Sequence, residues 1–466
     1  MNLTLVQAAT AMGACGDIEP SAQGREITGV KTDSRAVGPG DLFVCLPGEN
    51  FDGHNFASQA VDNGAIAVLA DRPLPELHDR ASVLLVTDTL TALGRLGAFW
   101  RSRTSAIVVA VTGSAGKTTT KEMLASILSE VGETAKNYKN FNNQLGVPMC
   151  MLGFSGTEKF WVLELGISHP HDMHELGDIV RPDCAVIGNI GPVHLEGLGN
   201  LDGVARCKTD LLDYTRRSGR AYVSMDYPEL WAHATTRFPF TVGLSVQGRS
   251  ERFHASYLGA DRSGGRYALR LDDVEIELHL PYFGEYFAEN MLAAAATAHD
   301  LGAGPEAIRR GLEKARLPEH RSACSVVGGW AVIDDTYNAN PLSMERAVKC
   351  AADIAGETPL ALVLGEMREL GPDAAELHRE LGRTIAATGA KAVFFNGDHA
   401  DALAAGLADG NWQGAFATAP SPENFPDAFA ELGLSGGVVL FKGSRSTKME
   451  RYVQSLTDWL NGETRA

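Results

Sequence analysis

Cysteine is sparse: seven stand in 466 residues (Cys15, Cys45, Cys150, Cys184, Cys207, Cys324 and Cys350), an odd and scattered set without a Cys-x-x-Cys pair. That argues against a disulfide framework or a zinc site and fits the reduced thiols of a cytoplasmic protein. Positive charge is short as well, with 41 Lys and Arg against 58 Asp and Glu, a net charge of −17. Such a surface repels nucleic-acid phosphates, so no nucleic-acid partner is expected, and any anionic ligand must be met by cations gathered in clefts. No apolar run approaches the roughly 18 residues of a membrane span, and the stretch from Met1 to Gly13 lacks a basic segment leading into a long apolar one. Neither export nor a membrane span is expected. What remains, 44% apolar and 21% charged residues, is the composition of a globular protein. Its length calls for two to three domains of about 150 residues.

One stretch dominates the chain: Ile107-Val108-Val109-Ala110-Val111 runs into Thr112-Gly113-Ser114-Ala115-Gly116-Lys117-Thr118-Thr119. Five apolar, mostly β-branched residues, a glycine-punctuated turn and a helix-compatible run over 117–131 predict strand, loop and helix. Backbone N–H groups can close on a triphosphate where glycine clears the way, at the positive end of a helix. Lys117 then reaches the outer phosphates and the Thr118 hydroxyl a Mg²⁺ ion. The generic loop carries a further glycine where this chain has Val111, so the form here is the shorter Thr-Gly-x-x-Gly-Lys-Thr-Thr.

Around this anchor the pattern alternates strand and helix. Residues 1–100 hold short strands at 41–46, 65–70 and 83–87 and a helix at 56–63. Their polar loops are Lys31-Thr32-Asp33-Ser34-Arg35 and Gly48-Glu49-Asn50-Phe51-Asp52-Gly53-His54. Such loops suit a phosphorylated ligand, and equally suit plain turns. Residues 101–317 carry the phosphate loop, the run Phe160-Trp161-Val162-Leu163-Glu164 that delivers a carboxylate at a strand end, and a strand at 183–189 followed by His194. Ligands of open α/β sheets collect at that edge, which sets Glu164 and His194 facing Lys117. Between 240 and 280 the period falls to two, predicting an antiparallel addition at one edge of the sheet. An alanine-rich helix over 284–301 offers a surface for a flat base. After Leu317-Pro318-Glu319-His320-Arg321, residues 318–466 again alternate, with strands at 331–335, 360–364, 392–396 and 437–441. Three polar loops, at 335–341, 365–371 and 442–446, follow such strands and should converge on one sheet edge. The expected architecture is α/β in three domains. A central P-loop-type, mostly parallel sheet with an antiparallel edge lies between a smaller α/β amino-terminal domain and a Rossmann-like carboxyl-terminal one.

Taken in order, these motifs resemble the Mur ligase family of peptidoglycan synthesis. The resemblance runs nearly end to end, through Thr32-Asp33-Ser34-Arg35, Asp52-Gly53-His54, the phosphate loop, Asn140-Phe141-Asn142-Asn143, Glu164-Leu165-Gly166, Lys208 and Arg321. It closes with Asp335-Thr336-Tyr337-Asn338-Ala339-Asn340-Pro341 and Lys442-Gly443-Ser444-Arg445-Ser446. The Tyr337 to Pro341 run points to the member that joins D-alanyl-D-alanine to UDP-N-acetylmuramoyl-tripeptide. The Asp-Asn-Pro-Arg motif of the sister ligase that adds the third peptide residue is missing.

The resemblance implies an ATP- and Mg²⁺-dependent ligation through an acyl phosphate, and a cytoplasmic monomer is expected. It implies that Gly113, Ser114, Ala115, Gly116, Lys117, Thr118 and Thr119 bind ATP phosphates, with Asn290 at adenine, Asp335 at the ribose and Arg321 at a phosphate. Thr118, Glu164, His194 and Lys208 would be metal ligands, Lys208 as a carbamate; Lys117, Glu164, His194 and Lys208 would carry catalysis. Ser34 and Arg35 would lie near the uridine end, and Asn142 and Asn143 between nucleotide and substrate. Two departures stand out: His171-Asp172 replaces a common Gly-Glu, and Tyr286 replaces a common histidine. By residue type alone, His194 reads as a hydrogen-bonded loop residue, Lys208 as a solvated helix lysine, and His169, His171 and His174 as a polar helix start rather than a metal cluster. The rival of another class is a nucleotide-switch ATPase, whose guanine-specific version the missing Asn-Lys-x-Asp motif weakens.

Overall fold

The structure is a computed structural model that describes residues 3–16, 18, 22–48, 51–261 and 264–462. Met1 and Asn2 of the amino-terminal stretch, and Glu49 and Asn50 of the second polar loop, lie outside the described residues.

The phosphate-loop strand Ile107–Thr112 lies inside a six-stranded, wholly parallel sheet, between Cys184–Ile187 and Phe160–Glu164. Arg220–Ser224 and Thr241–Leu244 extend it on one side and Thr134–Lys136 on the other. Both faces are covered, which is why the strand reads as an unbroken apolar run. Val108 and Ala110 enter one core, whereas Val109 and Val111 enter the other with the helix Lys117–Ser129. The first core continues into the amino-terminal segment, whose four parallel strands are Val30–Lys31, Leu42–Val44, Ala67–Ala70 and Ser82–Leu85. A connecting helix, Thr89–Arg103, starts on an Asp88 cap and buries Arg101, which donates to the Val180 carbonyl (3.0 Å) and to Asp183 (2.8 Å). Asp183 in turn accepts from the Val108 backbone (2.8 Å), so this buried arginine fixes the start of the phosphate-loop strand.

Two expectations need correction. The antiparallel strands exist, Phe253–Asp261, Gly264–Leu271 and Val274–Leu280, but they form a sheet of their own. Among the described residues it meets the ladder of the central sheet's edge only in the isolated bridge Ser245–His254. Their alternate apolar residues, among them Phe253, Leu269 and Ile276, pack in one core with the helix Glu285–Asp300 instead of lengthening the central sheet. For the same reason the alanines of that helix offer no open platform for a base. Ala293 to Ala296 are fully buried, and their small side chains let the helix close on its neighbours.

The last sheet has the order Ala323–Val327, Trp330–Asp335, Gly437–Lys442, Leu360–Gly365, Ala392–Asn396, Ala415–Thr418, parallel except for its first strand. The strands ending at Asp335, Gly365 and Lys442 are neighbours, so the three polar loops do share one edge. Among the described residues no helix is long and apolar enough to cross a membrane.

Candidate active site

The edge of the central sheet and the edge of the last sheet face each other across a cleft of about 550 Å³. The phosphate loop forms its floor. Gly116 stands at φ 74°, a conformation glycine adopts without strain, and a Cβ there would lie 2.1 Å from the Asn290 carboxamide oxygen. Asn290 thus backs the loop, its Oδ1 accepting from the Thr120 hydroxyl (3.2 Å). Asn189 grips Ala115 from both sides, donating to its carbonyl (3.1 Å) and accepting from its N–H (2.8 Å). The Ser114 hydroxyl accepts from the Gly191 N–H (2.9 Å), and Asn340, reaching over from the last domain, donates to the Ser114 carbonyl (3.3 Å). Such bracing presents backbone N–H groups in fixed positions at a helix start.

Lys117 donates to the Gly113 carbonyl (2.9 Å). Lys208, on the helix Leu201–Thr209, donates to the same carbonyl (3.1 Å) and is only 2% exposed. It is no solvated helix lysine. Burial, aided by the Lys117 charge, holds its ammonium well below the usual range, and burial also lowers Lys117. Glu164 is buried at its strand end, with Oε1 accepting from Asn142 (2.8 Å). Its Oε2 is buried without a hydrogen-bond partner, 3.8 Å from Lys121 Nζ. An orphaned carboxylate oxygen of this kind is costly unless a cation meets it. Thr118 and His194 line the same cleft. His194 adopts φ 51°, uncommon for a side-chain-bearing residue, and its Nδ1 meets Glu369 from the last domain. Burial lowers its pKa, favouring the neutral imidazole that ligates metals. The donor set therefore fits a hard divalent cation.

Asn143, Arg321 and Asp335 also border the cleft. Asn143 caps the helix start at Gly146 (2.8 Å). The Arg321 guanidinium stacks 4.0 Å from the Tyr337 ring, and Asp335 accepts from Lys442 (2.5 Å) and the Ser322 N–H (3.0 Å). Ser34 and Arg35 stand elsewhere, in a short helical turn, Ser34–Ala36, that follows the amino-terminal strand Val30–Lys31. Ser34 donates to Gln59 (2.8 Å), while Arg35 is exposed and paired with Asp33 (2.8 Å).

Asp172 acts as a local brace, accepting from the Ser168 and His169 backbones (2.7 and 2.8 Å) and from Gln144 (2.8 Å). Tyr286 bonds to Ser322 (2.8 Å) beside the cleft. His171 precedes the helix Asp172–Val180 and His174 turns towards Tyr214 (3.2 Å), so the histidine spacing is a helix start, as expected.

Sequence reasoning passed over Asn137, which donates to the Glu164 carbonyl and accepts from its N–H (both 2.9 Å), and Lys121, fully buried and donating to the Asn137 carbonyl (2.9 Å). A hint was available in the crowding of Asn137, Asn140, Asn142 and Asn143.

Family models match the chain in three blocks: the Mur ligase family catalytic domain over residues 26–101, the Mur ligase middle domain over 111–298 and the Mur ligase glutamate ligase domain over 320–445. A UDP-N-acetylmuramoyl-tripeptide–D-alanyl-D-alanine ligase of Escherichia coli is 34% identical over 94% of this chain and 95% of its own. The chain belongs to the Mur ligase family. The same-named ligase of Bacillus subtilis is 32% identical over 94% and 95%. Among solved Mur ligases, MurF from Acinetobacter baumannii superposes with a TM-score of 0.88 at 33% identity over 98% of this chain and 99% of that one. MurF from Thermotoga maritima in complex with ADP gives 0.84 at 27% over 94% and 99%. The three-domain α/β Mur ligase fold is thus shared along the whole length.

Proposed function

We propose that the protein joins D-alanyl-D-alanine to UDP-N-acetylmuramoyl-tripeptide at the expense of ATP, the step that completes the pentapeptide precursor of peptidoglycan. One observation carries this reading beyond the relatives' names: a braced phosphate loop and the Asp335 to Pro341 loop of another domain border one cleft, joined at Asn340 and Ser114. A ligase needs that juxtaposition, because nucleotide, carboxylate and amine must meet. A carboxylate is a poor electrophile, so ATP first phosphorylates it. The D-alanyl-D-alanine amine then attacks the acyl carbon and phosphate leaves.

In this reading Gly113 to Thr119 hold the ATP phosphates, and Lys117 leaves the Gly113 carbonyl to follow the transferred phosphoryl group. Asn290 sits towards adenine, Asp335 towards the ribose and Arg321 towards a phosphate. Thr118, Glu164 and His194 would hold Mg²⁺, together with Lys208 as a carbamate. When bound, the metal would neutralise phosphate charge and polarise the P–O bond. A neutral Lys208 amine can add CO₂ and release a proton, becoming an anion in a pocket that disfavours its cation. Asn142 orients Glu164, and Asn143 shapes the wall between nucleotide and acyl acceptor. Ser34 and Arg35 face the uridine end of the substrate. Residues 1–100 serve the UDP substrate, 101–317 ATP, and 318–466 complete the nucleotide and amine sites. The protein works as a monomer in the cytoplasm, where ATP and UDP-linked substrates are made.

The test is phosphate release from ATP with each organic substrate alone and with both together. Release should stay near background until UDP-N-acetylmuramoyl-tripeptide and D-alanyl-D-alanine are both present. Release with nucleotide alone would instead mark a switch ATPase. Turnover on the UDP-dipeptide with a free diamino acid would mark the sister ligase.

A further inference from the structure

The ligation chemistry above uses Glu164 and leaves Lys121 idle, although the two face each other. Lys121 follows Lys117 by one turn of the helix Lys117–Ser129 and is fully buried. Its ammonium donates to the Asn137 carbonyl (2.9 Å) and lies 3.0 Å from Glu122 Oε1 and 3.8 Å from Glu164 Oε2. Glu122 has a second cation in Lys136. Glu164 is fixed from its other sides, because the Asn137 amide bonds both its N–H and its carbonyl (2.9 Å each) and Asn142 donates to Oε1 (2.8 Å). Only the oxygen facing Lys121 lacks a hydrogen-bond partner among the described residues.

We propose that Lys121 is a positioning residue, the standing counter-charge of Glu164, which keeps one carboxylate oxygen open towards the cleft and holds the affinity for a divalent ion low until nucleotide phosphates add their charge. A buried carboxylate with no cation nearby takes up a proton or leaves its place. At 3.8 Å the ammonium offsets that cost, yet it is too far away to occupy the oxygen as a hydrogen-bond donor would. The same charge repels a dication that settles on Oε2, and burial leaves this repulsion poorly screened. Glu164 therefore stands ready for a metal without retaining one by itself.

This rests on the reading of Glu164 as a metal ligand, so the experiment follows Mn²⁺ binding by electron paramagnetic resonance, with and without ADP, and needs no turnover. The parent should bind Mn²⁺ weakly alone and more tightly with ADP. Lys121→Gln keeps a donor for the Asn137 carbonyl and leaves Glu122 paired with Lys136, so it should fold, with a thermal midpoint near the parent's. Without nucleotide it should bind Mn²⁺ about tenfold more tightly, because a repelling charge has gone. Lys121→Met should shift the affinity in the same direction. Adding Glu164→Gln to Lys121→Gln should erase the gain. A lysine that merely props up its surroundings predicts the opposite sign, a weaker site once it is replaced. Parent-like or weaker Mn²⁺ binding in Lys121→Gln, or a gain that survives Glu164→Gln, would overturn the proposal. A parent that binds no Mn²⁺ even with ADP would remove the metal reading of Glu164 beneath it.

Discussion

Two polar turns at strand ends invite comparison: the phosphate loop of the central sheet and the Asp33 to Ala36 turn of the amino-terminal one. The first is tied down by Asn189, Gly191, Asn290 and Asn340, residues far away in sequence. Its Lys117 and the distant Lys208 share the buried Gly113 carbonyl. The second is anchored at Ser34, which donates to Gln59 and accepts from Asn63, but its cation is not: Arg35, 82% exposed, pairs with Asp33 two residues back. A cation drawn out of water and aimed at one point acts strongly on charge that develops there, whereas an exposed ion pair contributes at most about 1 kcal/mol. In the proposed reaction this contrast gives transition-state work to the braced loop and, at most, substrate affinity to the exposed Arg35.

The sharpest way to break that contrast is Lys117→Ala. It should cost about 3 kcal/mol or more of transition-state stabilisation, at least a hundredfold in kcat, with the thermal midpoint unchanged. Parent-like turnover would remove the loop from the chemistry. Lys208→Ala should come next, losing most of the activity, and a small added carboxylic acid should restore part of it by supplying oxygens in place of the carbamate. No rescue together with normal turnover would return Lys208 to the role of a packing residue. Gly116→Ala tests bracing instead of charge. With Asn290 in the way and φ positive, about tenfold or more should be lost through ATP binding, the equivalent of roughly 1.4 kcal/mol. The smallest effect belongs to Arg35→Ala, which should leave kcat unchanged and raise KM for the UDP substrate only a few-fold.

Acid titration adds a reading at the open turn. The Arg35 side chain holds the Asp33 carboxyl at about 2, below its ordinary 3.8. Whatever this bond contributes is present above 3.8 and lost as pH falls towards about 2. In Arg35→Ala the carboxyl should titrate nearer 3.8, which NMR of the Asp33 side chain reports.

The same contrast explains what could be read from the chain. A strand buried on both faces must be apolar along its length, so Ile107–Thr112, Phe160–Glu164 and the four inner strands of the last sheet were visible, and with them the loops at their ends, whereas its largely exposed outer strands Ala323–Val327 and Ala415–Thr418 were not. Lys208 was not, because its helix carries Asp202 and Arg206 and ends beside Asp210, and nothing local reveals that its end turns under the phosphate loop. The partners of His194 and Asp335 were equally hidden, since Glu369 and Lys442, a loop residue and a strand end, lie more than a hundred residues away. Alternation at 240–280 revealed strands but not which neighbours they would pair with, a choice made by packing against the helix Glu285–Asp300. The resemblance to a family supplied roles that spacing alone could not.

The central claim is that the cleft makes an acyl phosphate, and oxygen tracing tests it most directly. UDP-N-acetylmuramoyl-tripeptide carrying ¹⁸O in its reacting carboxylate is turned over with ATP and D-alanyl-D-alanine, and the released phosphate is weighed by mass spectrometry. The account predicts one carboxylate oxygen transferred to inorganic phosphate for each amide bond formed. Phosphate that gains its new oxygen from water, with none from the substrate, would contradict it.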